Sequence, residues 1–469
     1  MMKPPILILP LLLLCTAFAE LPNYPTFTSV LGQTDFTSNQ TSPVTASSMD
    51  SPEGITVDPT TGKLFVADLS NHRILRFSSS SAYQTGAAAE AVLGQTDFDQ
   101  SSSGLSATKF SDPTIIFVDN QGRLWVGDRD NSRVLRFDNA SAIGTGAPAN
   151  AVIGQPDFDS DDDPAGTPHS KLDSPTGIFV TPNGTLWIAD TGFDRILRFD
   201  NAATLNGEVA ADQVIGQPDF STFAENTTRN GLTDPFGIWI DGGGNLYVCS
   251  LGNSRVLRYD DIESAGNGPN ASIVIGQPDF VTGTSGDGPQ KLSNVYYLGV
   301  SPSGTLWVGD YSNYRFLGYR NAANLPSNPI PDIVVGQPDL NTDTERTISN
   351  QDFASANSIA FGRSGSIFFC DWDGNRILRY SDPVSLTLPK RKKTRRNRTT
   401  LRGTSSGAEL VQYRVKGQRG GYRTAKGTAE NWNARIRKLS RRKTLVFARA
   451  WAFDNRLDEG RTRVIYQRR

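Results

Sequence analysis

Five acid–base pairs stand at one fixed spacing in this chain: Asp68 and Arg73, Asp128 and Arg133, Asp190 and Arg195, Asp310 and Arg315, and Asp371 and Arg376. A carboxylate and a guanidinium repeated this way can ring a reactive or anion-binding site. The same spacing across a turn also makes a charge-assisted hydrogen bond that clamps the turn. The second reading is adopted, because one register in every copy marks a structural slot. A sixth pair is broken: Ser250 stands where the acid belongs, so Arg255 is expected to lack its partner. The residue after each acid varies freely, as Leu69, Arg129, Thr191, Leu251, Tyr311 and Trp372. Variation on a fixed frame is where recognition is built. Arg129, Arg255, Tyr311 and Trp372 are therefore the candidate binding residues.

Other reactive groups are sparse. The chain has 2 histidines, His72 and His169, too few for a histidine-rich zinc site. Asp159-Ser-Asp161-Asp-Asp163 begins like a calcium loop, but Pro164 takes the place of the turn glycine and no closing glutamate follows. No H-E-x-x-H or phosphate-loop motif occurs. No catalytic residue, metal ligand or cofactor is assigned; an all-carboxylate calcium site stays open. Cys249 and Cys370 occupy the same place in two copies of a repeat, where other copies have Ala67, Gly127, Ala189 and Gly309. They read as small buried residues rather than a disulfide.

What positions these groups is a tandem repeat. The phrase Gly-Gln-Thr/Pro-Asp-Phe/Leu begins at Gly32, Gly94, Gly154, Gly216, Gly276 and Gly336, in steps of 60 or 62 residues. Each copy is one supersecondary unit that must bury its apolar faces against its neighbours. In one copy, 177–181, 185–190, 195–199 and 213–216 are β-branched or aromatic runs separated by Gly, Asn and Pro turns. Segments such as Leu124-Trp-Val-Gly-Asp and Leu186-Trp-Ile-Ala-Asp have no polar face, so both faces are covered. Trp125, Trp187 and Trp307 then pack against small residues of the next sheet rather than stacking a ligand. Four strands per copy, repeated radially, make a propeller blade.

Six three-strand units begin near 53, 113, 175, 235, 295 and 356. One Gly-Gln strand, at 28–36, precedes all of them, and the last unit has none after it. The N-terminal strand is expected to complete the last blade and remove an open sheet edge. The expected fold is all-β: a six-bladed β-propeller closed by an N-terminal strand, followed by a small β-sandwich. The long connections at 37–51, 99–112, 159–174, 221–234, 281–293 and 341–355 fall on one face with the acid-containing turns. Blade 5 departs from the pattern, with Asn294-Val-Tyr-Tyr297 for the usual Asp-Pro and Gly318 for an arginine.

The ends add two segments. Lys3, an apolar run at 6–18 and Ala17-Phe-Ala19 form a secretory signal cut near Ala19, leaving a secreted or periplasmic protein with no membrane span. Residues 1–380 carry 22 Lys and Arg against 42 Asp and Glu, whereas residues 381–469 carry 25 against 6. So strong a split marks separate modules: a signal at 1–19, the propeller at 20–384, a basic linker at 385–398 and a β-sandwich at 399–469. The basic face of the last suits an anionic polysaccharide or envelope surface, or the acidic propeller itself; no nucleic acid partner is expected outside the cytoplasm.

With Pro52-x-Gly54-Ile, Pro175-x-Gly177-Ile and Pro235-x-Gly237-Ile opening blades, and Asp68-x-x-Asn71-x-Arg73-Ile inside them, residues 27–380 resemble the NHL-repeat family of β-propellers, in its exported bacterial form. The order Val411-Gln-Tyr-Arg-Val415 and then Ala448-Arg-Ala-Trp-Ala-Phe-Asp-Asn455 resembles immunoglobulin-like modules. The first resemblance implies a binding platform for a protein, peptide or glycan on the loop-rich face. Its alternative is a metal-dependent hydrolase or lyase with its site in the central channel, as in other six-bladed rings.

Overall fold

The computed structural model describes residues 21–381, apart from 80, 81, 83, 162–168, 363 and 364, together with nine strands between Ser385 and Tyr466. The segment expected to be a secretory signal and part of the acidic loop at 159–163 lie outside the described residues.

Blade 1 runs outward through Pro52–Val57, Leu64–Asp68, Arg73–Phe77 and Ala91–Leu93, each strand antiparallel to the one before. Blades 2 to 5 repeat this order from Pro113, Pro175, Pro235 and Val295. Each innermost strand packs beside the next, and that of blade 6 packs beside that of blade 1, so the ring closes with six blades. The second strands are buried along their whole length, as expected of sheets covered on both faces. Trp125 and Trp187 are fully buried, and Trp307 nearly so. Crowding at the hub explains the innermost glycines: a Cβ on Gly177 would lie 2.0 Å from the Phe236 carbonyl oxygen of the next blade.

The N-terminal strand closes blade 6. Ser29–Leu31 pairs antiparallel with the third strand, placing Ser29 opposite Arg379 and Leu31 opposite Ile377. The preceding residues extend the clasp to blade 5: Tyr24 N–H donates to the Val334 carbonyl, and the Phe27 ring meets those of Phe353 and Phe369 at 5.2 and 5.6 Å. Blade 6 differs from expectation at the hub. Its innermost strand is only Ile359–Phe361, although Asn357 N–H still reaches the Cys370 carbonyl. No proline starts this strand, and Asp371 instead accepts the N–H groups of both Ala354 and Ser355.

The repeated Asp–Arg pairs are clamps. All five are fully buried, with Nε to Oδ2 distances of 2.6 to 2.8 Å. In blade 1, Asp68 Oδ1 accepts the Asp50 N–H, while Oδ2 takes Arg73 Nε and Asn71 Nδ2. Arg73 then donates to the carbonyls of Phe98, Thr45 and Ser48, tying the loop after blade 1 to the loop before it. The Gln and Asp of the repeated phrase are structural too. Gln95 Nε2 donates to three loop carbonyls, and Asp219 Oδ1 accepts the N–H groups of Ser221 and Thr222 in an Asx turn.

Blade 4 shows what happens without the acid. Ser250 Oγ takes over the Thr233 N–H, and Arg255 still holds the carbonyls of Phe280, Thr228 and Gly231, but its Nε has no partner. Burial pulls the Arg255 guanidinium below its ordinary pKa. Ser250→Asp is expected to restore the pair and stabilise the ring by about 1.5–3 kcal/mol, the scale of a hydrogen bond to a charged group. A thermal melt checks this; an unchanged or lower Tm refutes it.

Beyond the ring, the nine described strands form two sheets. Ser385–Thr387, Thr399–Ser406, Asn431–Ile436 and Lys426–Gly427 make one; Arg391–Thr394, Leu457–Tyr466, Thr444–Trp451, Leu410–Val415 and Arg423–Thr424 make the other. Two of these strands, Ser385–Thr387 and Arg391–Thr394, fall in the segment expected to be a linker. No helix among the described residues is long and apolar enough to cross a membrane.

Candidate functional site

The second residue of each innermost strand forms a layer around the hub: Glu53, Thr114, Thr176, Phe236 and Tyr296, completed in blade 6 by Asn357. Two members are anomalous. Glu53 and Asn357 are both fully buried, and no side-chain oxygen or nitrogen of either has a hydrogen-bond partner. A carboxylate in such surroundings is costly to ionise. Burial pushes the Glu53 pKa up to about 8, against the opposing pull of Arg129.

Charges acting across the ring place this layer on the axis. Tyr296 of blade 5 is influenced by Glu53 of blade 1, Arg129 of blade 2, Asp234 of blade 4 and Asp373 of blade 6. A side chain within electrostatic reach of four other blades lies at the hub. Tyr296 is half-buried and begins an aromatic cluster, meeting Tyr311 at 5.0 Å and Trp372 at 5.9 Å. Tyr311 and Trp372 are themselves 5.8 Å apart, and the three rings stand at 63° to 81° to one another. The Tyr311 hydroxyl donates to Asp373 at 2.8 Å, and Phe236 meets Tyr296 edge-on at 5.1 Å.

The turns bearing these residues share one face with the long connections, as the backbone bonds show. Arg129 N–H donates to the Asp112 carbonyl, Leu251 to Asp234 and Tyr311 to Asn294. Of the four residues singled out from the sequence, Tyr311 and Trp372 come together at the mouth of the hub. Arg129 reaches the same mouth, its guanidinium held by Asp112 at 2.8 Å and Asp130 at 3.2 Å. Arg255 does not join them, because it is fully buried and spent on loop carbonyls. The expectation missed Tyr296, Glu53 and Asn357. An acid inside an innermost strand, where other copies have threonine or an aromatic residue, was the available signal for Glu53.

The opposite end of the channel is chemically different. A cavity of about 750 Å³ opens there, walled by Val57, Val118, Val180, Ile240 and Val300 and floored by aromatic residues. Phe179 lies 4.9 Å from Phe117 and 5.1 Å from Trp239, and Trp239 lies 6.1 Å from Phe361.

Neither histidine is placed as a metal ligand. His72 Nδ1 accepts the Asp112 N–H, and the His169 ring lies 5.4 Å from that of Phe220. Among the described residues no group of three or more His, Cys, Asp or Glu side chains is arranged to hold a metal. Cys249 and Cys370 are free, buried thiols, with burial pushing both pKa values up.

The NHL repeat model matches residues 49–77, which span the first three strands of blade 1 and the whole Asp68–Arg73 clamp. The ring carries an NHL repeat. Mouse (Mus musculus) teneurin-1 is 26% identical over 297 residues, covering 58% of this chain and 10% of that protein. Mouse teneurin-3 is 24% identical over 296 residues, covering 56% and 10%. The chain thus spans about a tenth of the length of these curated relatives. Similar solved structures include a streptogramin B lyase, 14% identical with a TM-score of 0.41, covering 76% of this chain and 98% of that one. A gluconolactonase from Xanthomonas campestris is 15% identical with a TM-score of 0.42 and covers the same shares. The propeller is a six-bladed ring with one polar, aromatic-rimmed mouth and one apolar one.

Proposed function

We propose that the loop-rich face of the NHL propeller is a binding platform for a protein, peptide or glycan, seated on Tyr296, Tyr311 and Trp372 with Arg129 at its edge. The observation that carries this reading is the half-buried aromatic cluster at the hub mouth, where five blades contribute charged or aromatic groups. Aromatic residues and arginine dominate the energetics of recognition surfaces. Here they stand on turns held by buried ion pairs, so little conformational freedom is lost on binding.

The protein acts outside the cytoplasm after cleavage near Ala19, and its basic C-terminal strands tether it to an anionic polysaccharide or envelope surface. Full-length protein screened on glycan and peptide arrays tests the platform. Replacing Arg129, Tyr311 and Trp372 together by alanine is expected to weaken the captured ligand at least 30-fold, about 2 kcal/mol, while the melting curve stays unchanged. Capture that survives the triple replacement refutes this placement.

A further inference from the structure

Six residues meet at the loop-face hub, and two of them leave buried polar atoms unanswered. Glu53 offers two carboxylate oxygens and Asn357 a carboxamide, all without partners inside the protein. Leaving such a group unpaired destabilises the fold, a carboxylate most of all. A fold that keeps two side by side on adjoining blades therefore has a reason for them outside its own packing. At the same mouth stand three aromatic rings within 6 Å of one another, and the Asp373 carboxylate is fixed against Tyr311. The charge around the hub is predominantly negative. Asp112 and Asp130 already hold the Arg129 guanidinium, and Asp234 and Asp373 act on Tyr296 at the same mouth.

Resting on the binding-platform reading, and naming what the platform takes, we propose that the hub mouth receives a basic side chain, lysine or arginine, from a partner protein. The alkyl stem lies along the cluster of Tyr296, Tyr311 and Trp372, and the cationic head is accepted by the Glu53 carboxylate and the Asn357 carboxamide oxygen. Ring faces attract cations through their quadrupole at centroid distances up to about 6 Å. A lysine or arginine stem buries well along apolar walls while its head seeks a polar partner. An apolar group would leave Glu53 and Asn357 as they are.

The chemistry gives a signature that shape alone does not. With its pKa near 8, Glu53 holds its proton at neutral pH in the free protein. A cation arriving beside it favours the carboxylate, so the proton leaves as the ligand binds. The groups facing Glu53 are Arg129 and Asp112 from blade 2, Tyr296 from blade 5, and Cys370 and Asn357 from blade 6. His72, in contact with Asp112, is common to the parent and the Glu53→Gln variant, so the comparison of the two isolates Glu53.

The test uses the full-length chain and three blocked tripeptides, Gly-Lys-Gly, Gly-Arg-Gly and Gly-norleucine-Gly, titrated calorimetrically at pH 7 in two buffers of different ionisation enthalpy. Expected are at least tenfold tighter binding of the lysine or arginine peptide than of the norleucine peptide, and release of about one proton. Glu53→Gln, which keeps shape and neutrality, is expected to abolish the proton release and most of the preference. Trp372→Ala, on the half-buried rim, should weaken both basic peptides.

Equal binding of all three peptides, or unchanged proton release in Glu53→Gln, overturns the proposal. So does calcium chloride alone binding with a Glu53-dependent proton release and displacing the peptides, which would make this a metal site. A neutral or acidic ligand whose binding depends on Tyr311 and Trp372 overturns the cation pocket and leaves the platform standing. Array ligands indifferent to those two residues overturn the platform itself.

Discussion

A protein lacking residues 21–31 is expected to lose most of its stability. Four apolar side chains of that segment, Leu21, Phe27, Val30 and Leu31, are at most 5% exposed. Burying a side chain of this size contributes about 1.5–3 kcal/mol, so their loss removes of the order of 6–12 kcal/mol. A whole domain is typically stable by about 5–15 kcal/mol. The deletion also bares the third strand of blade 6, from Arg376 to Tyr380, whose backbone pairs with Ser29–Leu31. An unpaired edge of that kind recruits other chains. Expected, therefore, is a protein that melts at least 10 °C lower and associates on purification, read by calorimetry and light scattering. An unchanged melt in a monodisperse sample would mean that the ring closes elsewhere.

Asp128→Ala is expected to cost about 3–5 kcal/mol, the penalty for stripping a buried charge of its partner. Asp128 and Arg133 are both fully buried, 2.7 Å apart, and the carboxylate also accepts the Ser111 N–H and Asn131 Nδ2. Its removal leaves the Arg133 guanidinium with only the carbonyls of Phe158, Ser106 and Lys109, and unties the loop before blade 2. Asp128→Ser should cost less, because blade 4 keeps its turn with a serine hydroxyl on the Thr233 N–H. Urea midpoints of the two variants give the comparison. A loss below about 1 kcal/mol in Asp128→Ala would show that the ion pair is not what holds the turn.

Glu53 makes stability itself pH-dependent. Its folded pKa, about 8, lies above the ordinary value of 4.5, so the native state retains a proton that the unfolded chain has already released. Stability from this group is present at low pH and declines as pH rises from 4.5 towards 8. The melting temperature of the parent should fall across that window relative to Glu53→Gln. Parallel profiles would exclude a buried neutral carboxyl.

The ring was readable from sequence because each blade is built from local rules. The Gly-Gln phrase recurs at a set period, the second strands are apolar on both faces, and the Asp–Arg spacing repeats within one turn. Tyr311 and Trp372 were readable for the same reason, as variable residues at a fixed register. Arg255 was misleading, since a missing acid suggested a free guanidinium. An arginine here is bound chiefly by loop carbonyls, and those persist whether or not the acid is present. The Glu53–Asn357 layer was not readable, because its members lie some 300 residues apart and become neighbours only when blade 6 meets blade 1. Proximity created by closing a ring leaves no local pattern in the chain.

That closure has a consequence in time. Arg379 Nε bonds Ser29 Oγ across 350 residues of sequence, so the strand that seals the circle must wait until nearly the whole ring has been synthesised. Blades 1 to 5 can stack as they emerge, each on its predecessor, but the final edge stays open until the two ends find each other. Long-range pairing of this kind is paid for late and slows folding. The nascent protein therefore passes through a five-and-three-quarter-blade stage whose unsatisfied strand is its most adhesive surface, and the earliest ring residues made are the last to be used.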